Sequence, residues 1–316
     1  MDTDSLILFA DLYPLSTLIF IGVLGACIGS FLNVVIYRLP RLLLVDWYQQ
    51  ASALLRAYPT PPDINDPHFR MNQLNDTVSE DTTPAVPPFN LCFPRSHCTH
   101  CQHSLPWWCN IPLVSFLILR GRCHFCRQPI SWRYILIEGL SALLPIIVIS
   151  QLGFHWSGLM GILLTWFLVV MTFIDLDHQL LPDNLTLPLI WIGLLLNLFN
   201  VFTTLESALI GAIAGYLSFW LIAQGFYRVT GREGMGYGDF KLVAAFGAWF
   251  GWPMLILLIL IASFLGAIVG ISIHLIRRHR QSVPLPFGPY LAFAGWLCLC
   301  WGNEILQTYL LFLTPA

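Results

Sequence analysis

The chain has 316 residues, room for one large or two ordinary domains, but 57% of them are hydrophobic, only 10% are charged, and mean hydropathy is +0.71. That composition excludes a water-soluble globular protein, a collagen, a coiled coil and a disordered chain. The formal net charge of -2 points to no class of partner, because in a membrane protein the positions of the basic residues carry the information; no nucleic-acid partner is expected.

Long apolar runs, without evenly spaced alternating segments of about ten residues, favour an α-helical bundle over a β-barrel. Residues 1–14 carry Asp2, Asp4 and Asp11 and no Lys or Arg, the reverse of a secretory n-region, so the first apolar run is expected to stay in the mature protein. Windows of about 17 to 25 apolar residues fall at 15–37, 135–151, 158–174, 185–202, 208–226, 254–276 and from 290 to about 303. A shorter apolar stretch at 240–250 ends at the Gly251, Trp252, Pro253 break. All fifteen Lys and Arg fall in three places: nine at 38–133, three at 228–241 and three at 277–280. The positive-inside rule puts all three in the cytoplasm. An even number of crossings must then separate them, which requires 240–250 to cross as well. The expected fold is an all-α polytopic membrane protein of about eight transmembrane helices, both termini outside. At 1.5 Å per residue the short stretch reaches only about 16 Å, so it must be tilted, longer than it looks, or partly unwound. Three pairs of glycines at small-xxx-small spacing, Gly211 and Gly215, Gly247 and Gly251, Gly266 and Gly270, read as close helix packing.

The 38–133 loop is the main aqueous part. Its 58–90 stretch, rich in Pro, Asp and Thr, is not expected to fold around a core. About 91–133 differs. Cys98, Cys101, Cys123 and Cys126 form two CxxC knuckles at a spacing suited to a small ribbon in which four thiolates close a tetrahedron on one ion. A reducing cytoplasm disfavours the alternative of two disulfides, soft sulfur ligands select zinc, and four of them leave no open position for catalysis. His97, His100, His103 and His124 crowd the knuckles and could replace a sulfur; each read singly is a surface residue. Cys109 has no CxxC partner, and Cys27, Cys298 and Cys300 read as small buried hydrophobes.

Ionisable groups at the rim of a span are expensive and mark function by default. Asp175 and Asp177 end the third apolar run, and Asp239 follows Gly236 and Gly238 at the end of the basic loop after the fifth. By sidedness both clusters lie at the cytoplasmic face and can meet. Two carboxylates sharing a site do not both ionise cheaply, so the pair supplies an acid and a base, the chemistry of aspartic proteolysis. Gly236 and Gly238 would let backbone approach backbone beside the acid. On a helix, residues two apart point about 200° away from each other, so only one of Asp175 and Asp177 can face Asp239. Asp183 is expected to cap the following helix, and Glu138 either pairs with an Arg or lines the site. Alternatives from other classes are a transporter whose acids relay protons and a membrane scaffold with a zinc ribbon for docking. The acids at span ends disfavour the first, and the second has no use for the glycines before Asp239.

Several stretches together resemble the type IV prepilin peptidases: residues 29–40 (Gly-Ser-Phe-Leu-Asn-Val-Val-Ile-Tyr-Arg-Leu-Pro), the double CxxC, 110–115 (Asn-Ile-Pro-Leu-Val-Ser), 174–183 (Ile-Asp-Leu-Asp-His-Gln-Leu-Leu-Pro-Asp), 234–242 (Gly-Met-Gly-Tyr-Gly-Asp-Phe-Lys-Leu) and 286–291 (Pro-Phe-Gly-Pro-Tyr-Leu). The resemblance implies a GxGD-type intramembrane aspartic protease of the bacterial inner membrane, with Asp175 and Asp239 as its catalytic pair and zinc on Cys98, Cys101, Cys123 and Cys126. It implies removal of a basic leader from type IV prepilins and type II secretion pseudopilins after a Gly, then N-methylation of the new terminal residue, usually Phe, with S-adenosylmethionine. It divides the chain into a first transmembrane helix at 1–37, a cytoplasmic loop at 38–133 that serves methylation, and a transmembrane peptidase domain at 134–316. Gly121 and Arg122, beside the second knuckle, are candidates for contact with the methyl donor or the leader. A peptidase without methyltransferase activity is the nearest alternative within the family.

Overall fold

The computed structural model describes residues 14–57, 90–232, 234–277 and 285–313; most of the Pro-rich 58–90 stretch lies outside them. The fold is all-α, with no strand among the described residues. In chain order the helices are α1 (Pro14–Ala57), α2 (Val114–Ile118), α3 (Arg133–Leu152), α4 (Trp156–His178), α5 (Asp183–Leu198), α6 (Leu205–Thr230), α7 (Tyr237–Phe250), α8 (Trp252–Arg277) and α9 (Gly288–Leu313). Each of the eight apolar stretches is a helix. Among the described residues five helices, α1, α3, α4, α6 and α8, are long and apolar enough to cross a membrane, and α5 is apolar but shorter.

The short stretch resolves in favour of "longer than it looks". α7 runs for 14 residues, about 21 Å at 1.5 Å per residue, against a hydrocarbon layer of about 30 Å. Its length is tolerated because it touches protein instead of lipid: from Asp239 to Trp249 every residue except Lys241 is buried, with α5, α6, α8 and α9 packed around it. The packing against α6 is backbone to backbone. A Cβ on Gly211 would sit 2.6 Å from the Gly247 carbonyl oxygen, and one on Gly215 would sit 2.9 Å from that of Val243. Asn197 of α5 closes the other side. Its amide donates to the carbonyls of Ala248 (2.8 Å) and Trp249 (2.9 Å), and its Oδ1 accepts the N–H groups of Phe202 and Thr203, both at 3.0 Å. The third glycine pair departs from expectation. Gly266 and Gly270 face side chains, the Phe287 and Tyr290 rings and Leu285, not another helix backbone.

α1 departs further. The apolar run ends near residue 37, but the helix continues through Pro40 to Ala57, 44 residues in all, or about 66 Å. Its membrane half packs on α3 through a pair that the sequence analysis passed over: a Cβ on Gly25 would lie 2.9 Å from Ala142 Cα, and one on Gly29 2.8 Å from Glu138 Cα.

Candidate active site and metal centre

Two acid clusters meet at one end of the bundle, and the structure sorts their members. α4 stays helical to His178, so Asp175 and Asp177 diverge as expected. Asp177 is exposed and paired twice with Arg133 of α3, at 2.7 Å (Nη1 to Oδ1) and 2.5 Å (Nη2 to Oδ2). Asp183 makes no side-chain cap bond at the start of α5, contrary to expectation; it binds Lys241 of α7 at 2.5 Å instead. Asp175 and Asp239 are only 5% and 8% exposed, and among the described residues neither forms an ion pair. Two acids thus secure the helix ends, and two are held inside without a counter-ion.

Asp175 Oδ2 accepts the backbone N–H of Gly288 at 3.0 Å, and Asp239 lies within electrostatic reach of Asp175. Leu181 links them: Gly238 packs so closely on it that a Cβ would sit 2.6 Å from Leu181 Cβ, while one on Gly288 would sit 3.3 Å from Leu181 Cδ1. The two glycines before Asp239 therefore differ. Gly238 permits the expected close approach. Gly236 has φ of -76°, open to any residue, and its missing side chain leaves free the space beside Asp239 Oδ2, 3.9 Å from where a Cβ would stand. Gly288 was not singled out from sequence, although Pro286 and Pro289 on either side of it signal a fixed turn. A Cβ there would come within 2.6 Å of Asp175 Oδ2.

The four cysteines also meet. Their sulfurs lie within 4.8 Å of one another, Cys98 and Cys126 3.8 Å apart. A disulfide requires about 2.05 Å, whereas tetrahedral bonds of about 2.3 Å place sulfurs about 3.8 Å apart, so the donor set fits a metal tetrahedron. The knuckles are near copies. Cys98 N–H binds the His103 carbonyl (3.0 Å) and Gln102 N–H the Cys98 carbonyl (2.9 Å), as Cys123 binds Gln128 (2.9 Å) and Arg127 binds Cys123 (3.0 Å). Gln102 and Arg127, each just after its CxxC, share φ of 57° and 58°. Hydrogen bonds from the Cys101 and His100 backbone help to lower the Cys98 thiol pKa to about 6, while burial raises that of Cys109. The cluster contains no histidine: His103 stacks on Phe125 and His124 meets Trp108 edge-on. Gly121, at φ of 65°, uses both backbone polar groups inside the ribbon, its N–H on the Phe116 carbonyl (2.8 Å) and its carbonyl on Ile130 N–H (2.7 Å).

Two buried polar residues join ribbon to bundle. Arg38 of α1, 7% exposed, donates to the carbonyls of Asn90 (2.8 Å), Leu91 (3.3 Å) and Pro94 (2.6 Å). Glu138 of α3 forms no ion pair among the described residues and accepts Leu113 N–H at 2.8 Å, beside Ser30. It thereby ties the 110–115 segment to α1 and α3.

Against this geometry, the chain is similar over nearly its full length to known proteins. Residues 23–152 match the Bacterial Peptidase A24 N-terminal domain and residues 162–271 the Type IV leader peptidase family. A "Prepilin leader peptidase/N-methyltransferase" of Aeromonas hydrophila is 52% identical, covering 90% of each chain. The chain belongs to the type IV leader peptidase family. Relatives of the same description in Stutzerimonas stutzeri and Pseudomonas aeruginosa are 46% and 45% identical, each covering 95% of this chain and 96% of the relative. No solved structure matches. This family is one of membrane-embedded bacterial proteases, and both buried acids fall within the 162–271 match.

Proposed function

We propose that the protein cleaves the basic leader from type IV prepilins and pseudopilins after a Gly, using Asp175 and Asp239, and then N-methylates the exposed terminal residue, usually Phe. The observation that carries the peptidase assignment is the sorting of acids: of the four in the two clusters, the two that form no ion pair among the described residues are buried within electrostatic reach of each other. One carboxylate, ionised, takes a proton from the water that attacks the scissile carbonyl. The other, protonated, polarises that carbonyl, and the leaving amine departs with a proton as the C–N bond breaks. The Gly288 N–H holds Asp175 in place during the exchange. Gly236 and Gly238 keep the approach to Asp239 free of side chains. A prepilin joins a cytoplasmic basic leader to an apolar helix, so its cleaved bond lies at the inner membrane surface. Acids at the end of the bundle meet that bond without unwinding a helix at mid-bilayer.

The finer assignments follow from the same reading. The protein sits in the bacterial inner membrane through eight spans with both termini periplasmic and the ribbon and acids cytoplasmic. Residues 1–37, 38–133 and 134–316 serve as first span, ribbon-bearing loop and peptidase domain. Cys98, Cys101, Cys123 and Cys126 hold zinc, which supplies a structural crosslink. The methyl donor is S-adenosylmethionine. Arg122, with Gly121 shaping its turn, suits the donor's carboxylate better than a basic leader, which it would repel. The new α-amine has an ordinary pKa of about 8, so methyl transfer needs no strong base. The test is incubation of the purified protein with a prepilin in detergent, with and without S-adenosylmethionine. Leader release in both, with a mass gain of one methyl group only when the donor is present, is the expected result. Release without any methylation would reduce the protein to a peptidase, and intact prepilin in both would overturn the assignment.

A further inference from the structure

An apolar cavity of about 330 Å³ is lined by Phe219 and Ile222 of α6, Ile259 and Gly266 of α8, and by Met235 and Phe287. Two of these residues lead directly to the acid pair. Phe287 precedes Gly288, whose N–H holds Asp175. Met235 precedes Gly236, whose carbonyl accepts the Asp239 N–H at 3.2 Å. The cavity is graded from inside to outside: Phe219 is 4% exposed and Ile222 63%, so it opens to the outer surface of the bundle along α6. Gly266 accounts for the space. A Cβ there would press on Phe287 Cε2 at 3.3 Å and Tyr290 Cδ2 at 3.5 Å, and any longer side chain would fill the cavity. Gly266 thus leaves room for something outside the fold, which explains why its small-xxx-small pair does not pack against a helix.

Resting on the peptidase function above, we propose that this cavity receives the apolar side chain that immediately follows the cleaved bond of the prepilin, and so selects the residue that becomes the new terminus. Among the described residues no charged side chain lines it, and a basic leader would lose its hydration there without a partner. The segment on the other side of the bond is the apolar one. The volume is at the small end of ligand pockets, roughly 300 to 1,000 Å³, which admits one or two large side chains and not a whole helix. Bound at Phe287 and Met235, such a side chain holds the preceding peptide bond against Asp175 and Asp239.

Two measurements test this. An Asp239→Asn enzyme in detergent is given a prepilin with the photoreactive benzoylphenylalanine at its first mature position, and the adducts are mapped by peptide mass spectrometry; they are expected on Phe219, Ile222 or Phe287. In addition, native and Gly266→Val enzymes are compared on prepilins with Phe or Ala at that position. The Phe-to-Ala ratio of kcat/KM is expected to fall about tenfold in the variant, the scale of hydrophobic-pocket discrimination. The ratio is internal to each preparation, so a low yield of active enzyme does not change it, and if Gly266→Val does not fold the adducts decide. Adducts only outside the cavity, or an unchanged ratio in a folded variant, overturn the proposal and leave the cavity to lipid chains. Cleavage of the prepilin by Asp239→Asn would instead overturn the peptidase assignment itself.

Discussion

Replacing either buried acid by its amide keeps shape and removes charge, so Asp175→Asn and Asp239→Asn should each slow leader release by at least about a hundredfold while the variants melt as the native protein does in detergent. Asp177→Asn should continue to cleave. It loses a half-exposed ion pair with Arg133, worth at most about 1 kcal/mol, and a small drop in melting temperature is the expected readout. Gly288→Ala is a sharper test of geometry, since its methyl group would stand 2.6 Å from Asp175 Oδ2. A carboxylate displaced by about 1 Å can cost on the order of a hundredfold in rate, so kcat should fall with KM little changed; an unaltered kcat would remove Gly288 from the site. The two acids are legible in sequence because charge at the end of an apolar run is costly; helix periodicity allows only one of Asp175 and Asp177 to face Asp239, and the resemblance of the 174–183 stretch is what points to Asp175. Gly288 is not legible in the same way. Its role depends on a contact across 113 residues, which no local pattern encodes.

Among the elements, α7 depends on neighbours for everything lipid would otherwise supply. Asn197→Leu would leave two carbonyls and two N–H groups of α7 and the 202–203 turn without partners, at about 1–3 kcal/mol for each buried group left unsatisfied. A melting temperature lowered by many degrees in detergent, with the apolar composition unchanged, is the expected outcome. The pattern of apolar windows located all eight long helices because burial in lipid or in protein calls for the same residues. It mistook the end of α1, since the half of that helix beyond residue 37 carries polar residues among its leucines and a proline at 40. It also underestimated α7, whose first turn contains Tyr237, Gly238 and Asp239, residues that end an apolar window without ending a helix.

At the scale of the molecule, the ribbon and the bundle meet through Arg38 and Glu138, so loss of metal should be felt beyond the cysteines but unequally by the two reactions. Chelation or Cys101→Ser is expected to release the bound metal, expose 91–133 to protease and lower methylation of the processed pilin more than leader release. Metal analysis and intact mass of the pilin terminus report both; equal loss of the two activities would contradict this division of labour. The ribbon itself was legible from two CxxC spacings. Its attachment was not, because a buried arginine bound to carbonyl oxygens resembles any basic residue next to a span. The sheathing of α7 has a last consequence. Changes in acyl-chain length or bilayer thickness act on the outer ring of helices, which can tilt to absorb them, while the helix that carries Asp239 meets no lipid along its core. The chemistry should therefore be insulated from membrane composition, and lipid dependence should arise where the substrate enters.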